Sequence, residues 1–261
     1  MVALQDPLTV EKKLKLELRL AQLTKNEECQ ENFLTYVRKL WPEFIVGRHH
    51  LIIAEKLERV ARGELKRLII NMAPRHTKSE FASFLFPSWM MGRNPRMKII
   101  QATHTTDLAV NFGRKTKNLI DSDEYKEIFP SVKLAADSKA SGRWDTSSGG
   151  MYYAVGVGSN LAGRGGDLVI IDDPHSEQTA MSVNGFDDAW DWYTGGPRQR
   201  LQPGGSIVLV QTRWSEKDMT GQLLRAMAKD PLADQWEVVE LPAIFEDGTP
   251  CWPEFWSLDD L

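Results

Sequence analysis

The amino-acid sequence predicts an α/β fold in which a mostly parallel β-sheet is flanked by helices. Strand-like and helix-like segments alternate from residue 68 onward, which is the order typical of such a sheet. Several of the strand segments are near-continuous apolar runs, as expected when helices cover both faces of the sheet. The 261 residues are enough for one large domain with a small appendage.

The individual elements follow from hydrophobic periodicity. Residues 8–40 carry an irregular apolar stripe at helical spacing, which predicts one or two N-terminal helices, and Ile52–Arg62 predicts another that ends at Gly63. The predicted strands are Leu68–Met72, Met97–Thr103, Met151–Val157, Leu168–Asp172, Ser206–Gln211 and Trp236–Leu241. The helices predicted between several of them are Ser79–Met91, Thr106–Ser122, Val183–Tyr193 and Glu216–Lys229.

Composition excludes several classes of protein. The net charge of −4 argues against a surface covered in basic charge, but it leaves room for a local patch that faces DNA. No apolar run reaches the ~20 residues of a membrane span, and the N-terminus has no signal-peptide pattern. Cys29 and Cys251 are far apart, so neither a disulfide framework nor a cysteine metal site is expected, and the cytosol is the expected compartment.

A strand, a tight turn and a helix surround Lys78 and Ser79. In a phosphate-binding loop of this layout, backbone N–H groups wrap a polyphosphate, a lysine neutralises it, and the next hydroxyl holds Mg²⁺. The pattern G-x-x-x-x-G-K-[ST] would place glycine at positions 72 and 77, where this chain has Met72 and Thr77. Threonine is costly where φ must be positive. The order of elements therefore supports a phosphate loop more strongly than the motif does.

A second apolar run, Leu168–Asp172, ends in the adjacent carboxylates Asp172 and Asp173. Carboxylates at the end of such a strand hold the metal ion in phosphate-loop enzymes. Taken alone, Asp-Asp-Pro is better explained as a turn that ends a strand, but downstream of a phosphate loop the catalytic interpretation is favoured. The two segments together predict a P-loop NTPase of the RecA/ASCE-like class, with ATP and Mg²⁺ as its ligands.

The stretch from Met72 to Glu80 resembles the arginine-containing phosphate loop of the large terminase subunits of tailed bacteriophages. Those proteins commonly read Pro-Pro-Arg-His-Gly-Lys-Ser, so Thr77 is a departure. The resemblance extends over roughly residues 40 to 258. It implies an N-terminal helical segment or lid at 1–42, an ATPase domain at 43–256, and the start of a linker at 257–261. In this family a nuclease domain follows, so nuclease activity is not expected in this chain.

The resemblance also implies roles for individual residues. Lys78 would contact the β- and γ-phosphate oxygens, and Arg75 the γ-phosphate or a neighbouring side chain. Ser79 and Asp172 would hold Mg²⁺, while Asp173, where many relatives carry Glu, would orient or deprotonate the attacking water. The implied nucleotide-binding residues are Arg48, His49, Pro74, Arg75, His76, Thr77, Lys78, Ser79, Glu80, Thr212 and Arg213.

Two further segments take roles from the resemblance. Residues 44–51 occupy the position of the adenine-side segment, where Phe44 or Ile45 would pack near the base. A metal site at His49 and His50 is not favoured, because adjacent helical residues point about 100° apart and no third ligand is near. Residues 207–214 resemble the coupling motif, whose polar tip senses the γ-phosphate; an edge strand capped by polar residues is the alternative interpretation.

Arg164 is flanked by glycines, an exposed presentation that suits an arginine finger reaching the ATP of a neighbouring subunit. Arg143 is the second candidate, and a solvated glycine-rich turn is the alternative interpretation. The candidate DNA contacts are the basic residues Arg114, Lys115, Lys117, Arg198 and Arg200, although such charges more often belong to solvated faces.

The function implied is hydrolysis of ATP to move double-stranded DNA through a portal protein into a procapsid. The implied partners are the small terminase subunit, the portal and further copies of this chain in a ring, in the host cytoplasm and with no membrane. Two alternatives stay open. A helicase-like or repair ATPase would need further nucleic-acid motifs beyond residue 214, and a nucleotide-binding assembly module with a degenerate loop would explain Thr77 and Asp173.

Overall fold

The computed structural model describes residues 7–138 and 140–261, and in that part of the chain seven strands form one sheet. The strands are β1 (Arg67–Met72), β2 (Lys98–Thr103), β3 (Arg143–Asp145), β4 (Met151–Gly156), β5 (Gly166–Asp172), β6 (Leu201–Gln211) and β7 (Glu237–Leu241). Their spatial order is β3-β4-β2-β5-β6-β1-β7. Within the described sheet the β3–β4 pair is antiparallel and the other pairs are parallel.

Helices precede the sheet and connect its strands. They are α1 (Pro7–Glu31), α2 (Phe33–Leu40), α3 (Arg48–Ala61), α4 (Phe86–Arg93), α5 (Thr106–Asp121), α6 (Asp123–Ile128), α7 (Glu177–Met181), α8 (Gly185–Gly195) and α9 (Met219–Lys229). A π-helix, Glu80–Leu85, leads directly into α4, and short 3-10 turns lie at Pro197–Arg200 and Leu258–Asp260. The predicted α/β fold with a mostly parallel sheet between helices is confirmed.

Both faces of the sheet are covered because successive side chains of a strand point to opposite sides. In β1, Leu68 and Ile70 belong to one buried cluster, whereas Ile69 belongs to the other. The first cluster includes residues of α2, α3, the π-helix and α4, and the second includes residues of α8 and α9. This double coverage explains why the central strands read as continuous apolar runs.

The N-terminal helices pack closely onto the domain. Trp89 Nε1 donates to the carbonyl of Cys29 at 2.8 Å, and the hydroxyls of Tyr36 and Ser88 lie 2.6 Å apart. Phe33 makes an edge contact with Phe81, with ring centroids 5.6 Å apart. Helix α2 therefore shares its hydrophobic cluster with the π-helix. The boundary at residue 42 stays a prediction, and residues 1–6 of the predicted helical segment lie outside the described residues.

Several element boundaries differ from those predicted. The predicted helix Ser79–Met91 is divided into the π-helix and α4, and the N–H of Phe86 bonds the carbonyl of Phe81, five residues earlier. The helix predicted from Glu216 begins at Met219, because the Asp218 side chain caps it by accepting from the N–H of Gly221. The short antiparallel strand β3 was not predicted. Within the described ranges, no helix is long and apolar enough to cross a membrane.

The topology brings three strand ends to one edge of the sheet. Strand β6 lies between β1 and β5, with Asn71 opposite Gln211 and Val210 opposite Asp172. Because these strands are parallel, the segments that follow Met72, Asp172 and Gln211 all leave from the carboxyl edge. The loop with Lys78 and the paired carboxylates are thus placed side by side.

Candidate functional site

The loop of residues 73–79 turns sharply between β1 and the π-helix. Two of its residues adopt left-handed backbone conformations, Arg75 with φ of 60° and Thr77 with φ of 64°. Such angles are uncommon outside glycine, and they are most costly for a β-branched residue. Position 77, where the phosphate-loop motif has glycine, therefore has the backbone conformation of glycine although it holds threonine.

The loop is stabilised by hydrogen bonds from its own side chains. The Thr77 hydroxyl donates to the carbonyl of His76 at 2.6 Å, and the Nδ1 atom of His76 lies 2.8 Å from the carbonyl of Pro74. His76 is buried, whereas Pro74 and Arg75 are exposed. These contacts satisfy carbonyl groups that a tight turn would otherwise leave without partners.

Lys78 reaches from this loop to the paired carboxylates. It is only 6% exposed, and its Nζ atom lies 2.8 Å from Oδ2 of Asp173. The other carboxylate oxygen of Asp173 accepts a hydrogen bond from the N–H of Thr212 at 2.7 Å. Asp173 itself has φ of 41°. A strained backbone and two strong contacts therefore hold the Asp173 carboxylate between the ends of β1 and β6.

Asp172 is held by two serines on the segment that follows Lys78. Ser79 Oγ donates to Oδ1 of Asp172 at 3.0 Å, and Ser83 Oγ donates to Oδ2 at 2.8 Å. Gln101 of β2 donates in turn to Ser83 Oγ at 3.1 Å. Side chains four residues apart on a helix lie on the same side, so both serines face one carboxylate. Ser83 lies within the π-helix, a rare element often found at functional sites.

The electrostatics of Asp172 follow from its burial. The residue is 2% exposed, and desolvation, followed by the Asp173 charge, raises the pKa of its carboxyl above the ordinary value. The Lys78 ammonium and the Ser83 and Ser79 hydroxyls act in the opposite direction. A carboxylate in this setting gains from a cation that compensates its charge.

The donor set fits Mg²⁺. The Ser79 hydroxyl and the Asp172 carboxylate are oxygen donors in direct contact, and Mg²⁺ in phosphate-binding enzymes is held by one or two carboxylates with waters and substrate phosphates. In residues 7–138 and 140–261, no group of three or more His, Cys, Asp or Glu side chains forms a metal cage. Ser79 and Asp172 are thus the residues that could hold a metal ion together with a bound polyphosphate.

A cavity of about 860 Å³ lies near the loop, between the start of α3 and the end of β7, and none of its lining residues belongs to 73–79. Its position follows from the sheet, because Leu241 of its lining pairs with Met72 immediately before the loop. Arg48 and His49 from the start of α3 line the cavity. The pKa of His49 is lowered to about 4 by burial and secondarily by His76, so the His49 ring is neutral at pH 7. The remaining lining comes mainly from residues 239–254.

The other residues predicted for nucleotide contact lie in distinct places. Phe44 is buried in the core, and Ile45 is 44% exposed. Thr212 lies at the carboxylates through its backbone N–H. Arg213 turns towards the start of α9, with Nε 2.9 Å from Oδ2 of Asp218. Glu80 begins the π-helix and is half-buried.

Arg164 lies at the opposite edge of the sheet. It precedes β5, whose seven residues separate it from Asp172 by about 20 Å at the usual rise per residue. Its guanidinium is stacked over the Tyr153 ring, 4.0 Å from the centroid. Arg164, Arg143 and Lys98 line one cavity of about 290 Å³. Arg164 is therefore held at Tyr153 and has its backbone at the edge of the sheet opposite the loop of its own chain.

Three of the basic residues considered for DNA contact are bound within the chain, among them Arg114, which donates to Asn111 Oδ1 at 2.8 Å. Lys117 donates to the carbonyl of Ser138 at 2.5 Å, and Arg198 is paired with Asp234. These contacts favour a structural role for Lys117 and Arg198.

Three buried polar residues near the loop were not predicted: His50, Ser83 and Gln101. The spacing of Ser83, four residues after Ser79 in a predicted helix, was a signal that both hydroxyls share one side. Gln101 was recognisable as a polar residue within the apolar strand Met97–Thr103. His50 had no such signal, because its partner Thr77 is 27 residues away.

No protein-family model matches this sequence, and no curated protein is detectably similar to it. Among solved structures, the large terminase of bacteriophage HK97 is similar with a TM-score of 0.51 and 11% sequence identity, over 83% of this chain and 43% of that one. The large terminase of the thermophilic bacteriophage D6E in complex with ADP has a TM-score of 0.41 and 11% identity, over 79% of this chain and 46% of that one. The chain thus spans less than half the length of these proteins, and it has the fold of the matching part of the HK97 large terminase.

Proposed function

We propose that this chain is the ATPase motor part of a bacteriophage large terminase subunit. It hydrolyses ATP and uses the energy to move double-stranded DNA into a procapsid. The observation that carries the proposal is the meeting of Lys78 and Ser79 with Asp172 and Asp173 at one edge of the sheet. The fold shared with the HK97 large terminase supports a role in DNA packaging.

The chain binds ATP through its backbone and one buried cation. The N–H groups of residues 73–79 surround the phosphates at the start of a helix, and Lys78 contacts the β- and γ-phosphate oxygens. Arg75, exposed at the loop tip, contacts the γ-phosphate. The cavity beside the loop takes the base and ribose, with Arg48 and His49 at the base. Pro74, His76, Thr77 and Glu80 shape the loop around the phosphate chain.

The paired carboxylates divide the chemistry between them. When bound, Mg²⁺ would offset the charge that develops during transfer. Ser79 and Asp172 would hold it, directly or through water. Asp173 is less buried than Asp172, and its carboxylate orients the attacking water and accepts its proton. Roles of this kind need two carboxylates in different environments, as the burial of Asp172 and the partial exposure of Asp173 provide.

The end of β6 couples the site to the rest of the domain. The Thr212 N–H bonds the Asp173 carboxylate, and the neighbouring Arg213 bonds Asp218, which caps α9. A change at the γ-phosphate therefore reaches α9 through two adjacent residues. This path is the physical basis proposed for the coupling of hydrolysis to movement.

A neighbouring subunit completes the site. Arg164 lies about 20 Å from the carboxylates of its own chain, so it acts on the ATP of the next subunit in a ring, with Arg143 as the alternative. The ring docks on the procapsid in the host cytoplasm, with the portal protein and the small terminase subunit as partners. The left-handed conformation of Thr77 reproduces that of glycine, which favours a working motor over a degenerate binding module.

The test is ATP hydrolysis over a wide range of protein concentration, with and without double-stranded DNA. Release of phosphate per subunit is expected to rise with concentration and to fall by about a hundredfold or more in Lys78→Ala. Lys66→Ala is the matched control, since Lys66 donates to the carbonyl of Gly204 instead of a carboxylate at the site. Hydrolysis and ATP binding that are unaffected by Lys78→Ala would contradict the proposal.

A further inference from the structure

His50 is a fully buried histidine that connects helix α3 to the phosphate loop. It belongs to the first turn of α3 and is 0% exposed. Its Nε2 atom lies 2.7 Å from the hydroxyl oxygen of Thr77. The proposed mechanism gives His50 no role, although it is in contact with the one loop residue that departs from the motif.

The hydrogen bonds around His50 form a chain of donors and acceptors from Gly47 to the carbonyl of His76. The N–H of Gly47 donates to Nδ1 of His50 at 2.8 Å, which closes the start of α3 as the acid does in a capping box. Since Nδ1 accepts, the ring hydrogen is assigned to Nε2, which donates to Thr77 Oγ1. The Thr77 hydroxyl then donates to the carbonyl of His76. The Thr77 oxygen thus accepts one hydrogen bond and donates another.

Aromatic rings fix the orientation of the imidazole. The ring of Phe81 is stacked on it with centroids 5.0 Å apart, and Phe44 and Trp252 contact it edge-on at 4.6 and 4.9 Å. Burial lowers the pKa of His50 to about 2, so the ring is neutral and keeps a single hydrogen to donate. These rings come from the segment before α3, the π-helix and the segment after β7, so several parts of the fold hold the donor in place.

The backbone of Thr77 needs such support. Its φ of 64° is unfavourable for a β-branched residue, and a conformation of this kind persists where the surroundings over-determine it. Glycine would adopt the angle without strain, but it would supply no hydroxyl. His50 Nε2–H would then be buried without its acceptor.

We propose that His50 is a positioning residue for the phosphate loop, and that its hydrogen bond to Thr77 holds the loop in the conformation that binds the phosphates of ATP. The inference rests on the proposed function and deepens it, because it assigns loop geometry to a residue outside the loop. His50 and Thr77 act as one unit. Either partner changed alone disturbs the loop, whereas an apolar ring with glycine restores a consistent pair.

The experiment measures the affinity of a fluorescent ADP analogue, with the melting temperature of each variant as the control for folding. His50→Phe and Thr77→Val are each expected to weaken binding about tenfold, since Thr77→Val leaves the His50 Nε2–H without its acceptor, and His50→Phe leaves Thr77 without its donor and the Gly47 N–H without its acceptor. Thr77→Ser keeps the hydroxyl and is expected to bind within about threefold of the parent. Thr77→Gly is expected to bind more weakly than the parent, and His50→Phe combined with Thr77→Gly to recover the part of that loss that comes from the unpaired His50 Nε2–H.

Two reference variants separate the possible failures. Tyr36→Phe removes a buried hydroxyl that is 2.6 Å from Ser88 Oγ, so it lowers the melting temperature and leaves ADP affinity unchanged. Lys78→Ala tests the nucleotide site itself. If Lys78→Ala weakens binding while His50→Phe and Thr77→Val bind like the parent, the positioning role is overturned and the proposed function stands. If Lys78→Ala also binds like the parent, the proposed function fails.

A variant that does not fold leaves the comparison intact. If His50→Phe is unfolded, the comparison of Thr77→Val with Thr77→Ser is sufficient. Valine replaces the hydroxyl of threonine by a methyl group, whereas serine keeps the hydroxyl and lacks the methyl group. If Thr77→Val binds more weakly than the parent and Thr77→Ser does not, the positioning role is supported. Equal affinity of the two variants overturns it.

Discussion

Two loops leave the carboxyl edge of the sheet and are built in different ways. The phosphate loop, residues 73–79, holds Lys78 at 6% exposure and joins it to Asp173 at 2.8 Å. The glycine loop, residues 157–165, carries Arg164 stacked on Tyr153. A Cβ added at Gly158 or Gly163 would meet no heavy atom of the described chain within 4 Å. The first loop encloses its lysine, whereas the second is open at two of its glycines.

The difference indicates which contacts fix the conformation of each loop. The phosphate loop is preorganised by residues distant in sequence, such as Asp172 and His50, and its strained backbone is supported from several sides. The glycine loop is anchored at Ser159, whose carbonyl accepts from Trp192 Nε1 at 3.0 Å, and at Arg164, which is stacked on Tyr153. In the proposed ring of subunits, this arginine would face the ATP of the neighbour.

The largest expected effect comes from the open loop. Arg164→Ala is expected to lower hydrolysis by the assembled protein about a thousandfold, because a trans arginine stabilises charge that develops in the transition state. Binding of the ADP analogue by the dilute protein is expected to be unchanged. Phosphate release measured above and below the assembly concentration checks both expectations.

Arg143→Ala is the matched comparison, because Arg143 lines the same cavity as Arg164. A full loss in Arg143→Ala with none in Arg164→Ala would move the trans role to Arg143. If both variants hydrolyse ATP like the parent in the assembled state, the contrast between an enclosed and a partner-dependent loop is wrong.

A smaller effect is expected within the enclosed site. Ser83→Ala removes the hydroxyl that donates to Asp172 and accepts from Gln101. It is expected to weaken Mg²⁺ affinity, so that hydrolysis needs about ten to a hundred times more Mg²⁺. The measurement is the Mg²⁺ concentration that gives half-maximal hydrolysis. Ser88→Ala, another buried serine, is the control and is expected to leave that concentration unchanged. An unchanged value in Ser83→Ala would show that Ser79 alone orients Asp172.

The smallest effect is expected far from both loops, at the start of β7. The pKa of Glu237 is lowered by hydrogen bonds from Lys56 and then Arg59 of α3. A lowered folded-state pKa gives stability above the unfolded value of ~4.3, and this stability is lost as pH falls through the folded value. Glu237→Gln is expected to lower the melting temperature by about 1–2 °C at pH 7. The difference is expected to shrink as pH falls below ~4.3 and to vanish below the folded-state value, and a difference that does not shrink would exclude the ion pair as its cause.

The sequence predicted the parts of the fold that depend on local pattern. The strands β1, β2 and β5 are long apolar runs, and their parallel order follows from the helices between them. Strand β3 was missed because Arg143–Asp145 is too short to show a period. The π-helix was missed because hydrophobic periodicity assumes 3.6 residues per turn, whereas Phe86 bonds Phe81 across five residues.

The sequence likewise predicted which residues meet at the site, but not the long-range contacts that support them. Lys78, Ser79, Asp172 and Asp173 meet because the carboxyl ends of parallel strands share an edge, which sequence order implies. Their roles stay predictions. The support from His50 is not encoded in any short motif, because it depends on how α3 packs against a loop 27 residues later. The direction of Arg213 towards Asp218 depends on the cap of α9 in the same way.

The position of β6 sets the width of the cleft at the carboxyl edge. The strand before the phosphate loop and the strand before the carboxylates are each hydrogen-bonded to β6 and not to each other. Two inter-strand spacings of about 4.8 Å separate them by about 10 Å. That width is a property of the backbone ladder, so side chains in the loops can vary, as residue 77 does, while the opening between the two strands stays the same.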